Sequence, residues 1–148
     1  MPPKPKKRNR KRRVVVDTNV LVASISGFKG TYVPGKYPSA DVLFNWADGD
    51  DFTWLVTEDI LDEYKEVLKR RNVRPALIGK IINLIRERAE ENKVRQSAQI
   101  SPDLDDNAFC VCAEQGKADS MVTLNMKDFP QDNLRARVSL PADFLAHR

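Results

Sequence analysis

Apolar positions along this chain fall into two alternating patterns. Short continuous runs of β-branched residues predict strands buried on both faces. Runs with apolar residues three and four apart predict helices with one face on a core. Val14-Val15-Val16 opens the series, predicting a strand over Val14–Asp17 that runs on into Val20–Ala23. The polar, glycine-bearing stretch from Ser26 to Pro38 predicts an ordered surface loop of unusual length. Ser39 is then placed to cap a helix over about Ala40–Asp48, with Val42, Leu43, Phe44 and Trp46 for the core. Phe52–Val56 is a second buried strand, and Thr57 caps a helix whose apolar face is Ile60, Leu61, Tyr64, Val67 and Leu68.

Pro75 starts a further helix, with Ile78, Ile81, Ile82 and Ile85 in line, reaching about Asn92. A short strand is expected within Val94–Ile100. Ser101 or Asp103 caps a helix that ends at Gly116. Ser120–Thr123 is another buried strand, Arg137–Leu140 a last edge strand, and Pro141–Leu145 a terminal turn of helix. Strands alternating with helices imply an α/β fold with a parallel sheet covered on both faces.

The 148 residues suffice for one domain with a full core and are too few for two. No apolar run approaches the roughly 20 residues of a membrane span, and no apolar segment follows the basic start, so neither a membrane protein nor a secretory signal is expected. Cys110 and Cys112, two apart on one helix, suit reduced cytoplasmic thiols and make no zinc site alone.

Charge divides the chain. Residues 1–13 hold eight of the 25 basic residues and none of the 21 acids, so residues 14–148 carry 17 basic residues against 21 acids. The start is therefore expected to be a basic tail, disordered when free, and the rest a single acidic domain. The tail is either an arm for nucleic-acid phosphates or a solubilising extension.

The candidate chemistry lies in acids that follow buried strands or border apolar helix faces. Asp17 stands at the C-terminal end of the first strand, where ligands bind in open α/β sheets. Glu63 lies at the edge of the face centred on Tyr64, whereas Asp62 and Glu66 point further away. Asp106 shares a face with Phe109, Cys110 and Ala113, so it points inward, while Asp103 and Asp105 suit the first turn of a helix. Asn125 and Asp128 follow the strand that ends at Thr123. Acids gathered at one sheet edge repel one another unless a divalent cation sits among them. Oxygen donors without a histidine or cysteine cluster point to Mg²⁺ or Mn²⁺, and such a cation activates water against a phosphodiester. The one histidine, His147, lies at the C-terminus.

The chain resembles a PIN domain, the metal-dependent ribonuclease fold of VapC-type toxins, over roughly Arg13 to Leu145. Val15-Val16-Asp17-Thr18-Asn19 is similar to that family's first motif, and Ile60-Leu61-Asp62-Glu63-Tyr64 to its second. Asp103-Leu104-Asp105-Asp106-Asn107, with Ala113 seven residues after Asp106, resembles the third. Ala118 to Phe129 resembles the fourth, with Asn125 where many members carry Asp and an Asp three residues on. The resemblance implies a three-layer α/β/α sandwich around a parallel sheet of four or five strands. It also implies a Mg²⁺- or Mn²⁺-dependent endoribonuclease, acting on single-stranded regions of RNA. Asp17, Glu63 and Asp106 would hold metal, and Asn125 or Asp128 would orient a water or a second ion. Thr18, Asn19 and Thr123 would support these ligands or contact phosphate.

Family membership further implies a cytoplasmic toxin paired with an antitoxin, and a homodimer using exposed apolar residues of the Pro75–Asn92 helix. The rival is a non-catalytic or RNA-processing module on the same fold that binds RNA or protein. Arg70, Arg71, Arg74, Arg86 and Arg88 are candidates for RNA backbone contacts or a solvated helix surface. A haloacid-dehalogenase-like phosphatase needs a second Asp where Asn19 stands. A response-regulator receiver needs adjacent acids at the end of the first strand. The sequence has neither.

Overall fold

The computed structural model describes residues 11–26, 32–94, 100–101 and 103–147, with backbone alone at 26, 104 and 105. Five strands form one parallel sheet: β1 (Arg12–Val16), β2 (Phe52–Val56), β3 (Glu90–Glu91), β4 (Ser120–Val122) and β5 (Arg137–Ser139). Their order across the sheet is β3-β2-β1-β4-β5. The helices are α1 (Thr18–Ser26), α2 (Pro38–Gly49), α3 (Glu58–Arg70), α4 (Pro75–Arg88), α5 (Leu104–Gln115) and α6 (Pro141–Ala146). Helices α2 and α6 pack together, as do α3 and α5, flanking the sheet in a three-layer α/β/α sandwich. β1 is central, and Val14, Val15 and Val16 are buried as a double-sided strand requires.

The strand order has a functional consequence. The chain steps outward from β1 to β2 and β3, then returns to lay β4 and β5 on the other side of β1. The carboxyl ends of β1 and β4 therefore flank a topological switch point, where open α/β sheets leave a crevice. Asp17 directly follows β1 there, its N–H donating to Val122 O at 2.9 Å.

Several boundaries differ from the sequence expectations. The first strand does not run on into Val20–Ala23. The carbonyl of Asp17 accepts from Val20 N–H at 3.0 Å, and the chain turns at once into α1. Val20, Leu21 and Ile25 are buried at helical spacing, so tertiary burial outweighs the β-branched propensity of Val20 and Ile25. α2 begins at Pro38, with Tyr37 as its N-cap residue and no side-chain cap, so Ser39 is a buried first-turn residue instead. α4 stops at Arg88, and the next strand is Glu90–Glu91, earlier than expected. Residues 95–99 of the expected Val94–Ile100 strand lie outside the described residues. So do residues 1–10 of the basic tail and residues 27–31 of the long loop, while Arg12 and Arg13 are the first rungs of β1.

Other elements follow the sequence closely. β2 spans Phe52–Val56, and Thr57 Oγ1 accepts from Ile60 N–H at 3.2 Å as the α3 cap. Asp103 Oδ1 accepts from Asp106 N–H at 3.2 Å, capping α5. Gly116 directly follows α5, but the left-handed residue is Lys117, with φ 54°. A Cβ at Gly116 would meet Cys112 O at 2.8 Å and Leu55 Cδ1 at 3.0 Å, so close packing requires this glycine.

Candidate active-site cleft

The crevice at the switch point is a cleft of about 430 Å³. Its walls bring together four segments far apart in sequence: Asp17, Thr18 and Asn19 after β1, Glu63 on α3, Asp103 and Asp106 at the start of α5, and Asp128 after β4. All four predicted acids, Asp17, Glu63, Asp106 and Asp128, line it. Asp62 and Glu66 lie on the exposed side of α3, with Asp62 3.9 Å from Lys65.

Asp17 is the most enclosed of the four, 6% exposed. Thr123 Oγ1 donates to its Oδ2 at 2.8 Å and accepts from Asn125 N–H at 3.0 Å. Asn125 Nδ2 in turn donates to Asp128 Oδ2 at 2.7 Å. Thr123 and Asn125 thus join the first acid to the fourth in one hydrogen-bonded chain. Asn125 itself is exposed and does not line the cleft; its amide orients Asp128. Burial pushes the Asp17 carboxyl above the usual carboxylate range. Hydrogen bonds from Thr123 and the Thr18 backbone oppose that rise, and the nearby Asp128 charge adds to it. Among the described residues no lysine or arginine pairs with Asp17.

Glu63 and Asp106 are half-buried, each carried by a helix whose apolar side faces the core. Tyr64, the neighbour of Glu63, is fully buried. Its hydroxyl donates to Val16 O and accepts from Trp54 Nε1 at 3.3 Å. One phenol therefore ties α3 to the end of β1, beside Asp17. On the other side, Asn107 Oδ1 accepts from Ile100 N–H at 2.6 Å and Ser101 N–H at 3.0 Å, anchoring the entry to α5.

The donor set suits a hard divalent cation: oxygen atoms only, including a buried carboxylate without a described cationic partner. Thr18 Oγ1 is buried in the cleft wall with no hydrogen-bond partner among the described residues. The acids share the cleft without closing on one point. Among the described residues, no three Asp, Glu, His or Cys side chains are placed to grip a single ion together.

Sequence reasoning assigned Asp103 to capping alone, but it both caps α5 and lines the cleft. It missed Tyr64 as a strap, because a core tyrosine at helical spacing gives no sign of its hydroxyl's partner. Of the candidate arginines, Arg70 and Arg71 line the cleft. Arg86 bonds Glu58 at 2.8 Å, and Arg88 donates to Ala47 O at 2.6 Å and sits over the Trp46 ring, so both serve the scaffold. Cys110 and Cys112 are free and buried, and burial pushes each thiol up to about 12. Among the described residues, no helix is long and apolar enough to cross a membrane.

Comparison with known proteins places the fold. A chain in the crystal structure of VapBC2 from Rickettsia felis bound to a DNA fragment from their promoter is similar in fold, with a TM-score of 0.59 and 13% identity. That similarity covers 86% of this chain and 98% of the other. No curated protein matches. The family model of the PIN domain matches residues 13–127, from β1 to the segment carrying Asn125. The chain belongs to the PIN domain family.

Proposed function

We propose that this PIN domain is a Mg²⁺- or Mn²⁺-dependent endoribonuclease that hydrolyses phosphodiester bonds in single-stranded RNA. One observation carries the reading: four acids from four distant segments line a single cleft at the sheet's switch point. Asp17, Glu63 and Asp106 are the residues to hold the cation, and Asp128, oriented by Asn125, completes the acidic wall. A divalent cation bound there supplies an activated water and offsets charge on the phosphate. Thr123 holds Asp17 in one rotamer, and Thr18 Oγ1 offers a hydrogen bond to a phosphate oxygen or a bound water. Gathering three acids requires rotation of side chains whose backbones the sheet and helices already fix.

Asp17→Asn removes the charge and keeps the shape. Mn²⁺-dependent cleavage of single-stranded RNA should fall by about a hundredfold or more, with an unchanged circular dichroism spectrum. Full activity in a preparation free of other nucleases would refute this site.

A second reading, a PIN-fold module that binds RNA or protein without cutting, is favoured by the spread of the acids. Calorimetric titration with Mn²⁺ separates the two: no binding at millimolar Mn²⁺ supports the module.

The fold shared with a VapBC2 chain supports a role as the cytoplasmic toxin of a type II toxin–antitoxin pair, neutralised by an antitoxin. Induced expression in a bacterial host should then arrest growth, and the Asp17→Asn variant should not. Half-buried Leu77, Ile78, Ile81 and Leu84 on α4 make that helix the candidate surface for a homodimer, to be tested by light scattering.

A further inference from the structure

Arg70 and Arg71, at the C-terminal end of α3 about two turns beyond Glu63, line the cleft, and we propose that they form a phosphate-binding subsite for RNA flanking the scissile bond. This rests on the nuclease reading and extends it to how the substrate is held. They are the only basic residues in the described cleft wall, which otherwise carries five acids. A polyanion approaching such a wall is repelled unless cations meet its phosphates.

The geometry of α3 sets the spacing. Glu63 and Arg70 are seven residues apart, about two turns, so both project from one side of the helix, with Val67 between them. The rise separates them by about 10 Å along the helix axis. On a strand stacked at about 3.4 Å per nucleotide, that distance is two to three nucleotides. Both arginines are exposed, and neither forms an ion pair among the described residues. By contrast, Arg86 on α4 bonds Glu58. The guanidinium forks suit phosphate oxygens, which accept two parallel hydrogen bonds.

The test measures RNA affinity by fluorescence anisotropy at several salt concentrations, in the full-length chain carrying Asp17→Asn so that the probe survives. The probe is an unstructured ten-nucleotide RNA. Adding Arg70→Ala and Arg71→Ala should weaken binding roughly tenfold or more. The slope of log affinity against log salt should fall by about 0.7 per lost phosphate contact. Arg70→Lys with Arg71→Lys should retain most of the slope while losing part of the affinity. Otherwise wild-type protein carrying Arg70→Ala and Arg71→Ala should bind Mn²⁺ at least as tightly as wild type, which excludes a folding defect. A dinucleotide substrate, too short to reach the subsite, should lose far less of its cleavage rate on removal of the arginines than a ten-nucleotide substrate does.

Unchanged affinity and slope in the alanine variant, when the wild-type chain does cleave RNA, overturns the subsite alone and assigns the pair to a protein-facing surface. Arginine-dependent RNA binding by a wild-type chain that cuts nothing upholds the phosphate contact and defeats the nuclease reading. No RNA binding by any variant defeats both.

Discussion

Asp17 is held where its charge is expensive, and that sets a pH signature. Its carboxyl stands above the ordinary range because burial disfavours the ionised form. A raised folded-state value means that the folded protein keeps its proton after the unfolded chain has lost it. The associated stability is fully present below about pH 4, the unfolded value, and is lost as pH rises through the folded value. In EDTA, wild type and Asp17→Asn should therefore be closest in stability in acid. The Asn variant should gain on wild type as pH rises toward neutrality, measured by urea denaturation across the range. A constant difference would mean that Asp17 titrates normally. Tyr64→Phe tests the neighbouring strap. Losing the hydroxyl leaves Val16 O without that donor and Trp54 Nε1 without its acceptor. A cost of about 1–3 kcal/mol is expected by denaturation. Asp17 was legible in the sequence because an acid closing a β-branched run sets a charge against the core, which is costly unless a ligand meets it. The Tyr64 strap was not, since it depends on which backbone carbonyl a buried hydroxyl meets.

Single elements show where pattern reading holds and where packing takes over. α3 was legible as a whole, because its Thr57 cap, acidic first turn and apolar stripe agree. α1 was not, because Val20, Leu21 and Val22 follow a true strand and carry the same apolar signal. β3 was not either: two glutamates have no strand propensity, and their pairing with Leu55 and Val56 is tertiary. What pins β3 is Arg13, which bonds Glu90, donating to its Oε1 at 3.0 Å, and donates to Gly116 O at 2.9 Å. The guanidinium beside Glu90 holds that carboxyl below its usual value. A depressed acid stabilises above its unfolded value and loses that contribution as pH falls through the folded one. Glu90 is substantially exposed, so solvent screening limits the pair to about 1 kcal/mol or less. Glu90→Gln should cost up to that amount at neutral pH and progressively less in acid. Gly116→Ala should cost more, roughly 1–3 kcal/mol at any pH, because its methyl meets the Cys112 carbonyl.

At the scale of the molecule, charge is distributed by position. β1 runs from Arg12 at one end of the sheet to Val16, next to Asp17 at the cleft, so Lys11 lies at the end opposite the acids. Five strand residues at about 3.3 Å each separate the two ends by about 16 Å. Residues 1–10 contribute five of the 25 basic residues and no acid, so the chain without them has 20 basic residues against 21 acids. The tail's charge was legible in the sequence, whereas the position of Lys11 at the far end became visible only with the direction of β1. An RNA that reaches from the cleft to the Lys11 end of the sheet has to span that distance, which three nucleotides at about 3.4 Å each do not. Deleting residues 1–10 should therefore leave binding and cleavage of a three-nucleotide RNA almost unchanged. For a thirty-nucleotide RNA it should weaken binding at low salt and lower the salt slope by up to about 3.5, or 0.7 for each of five charges. Equal loss with both lengths would mean that the tail reaches the cleft itself. No loss with either would leave the tail a solubilising extension, and RNA attraction would then rest on the cleft alone.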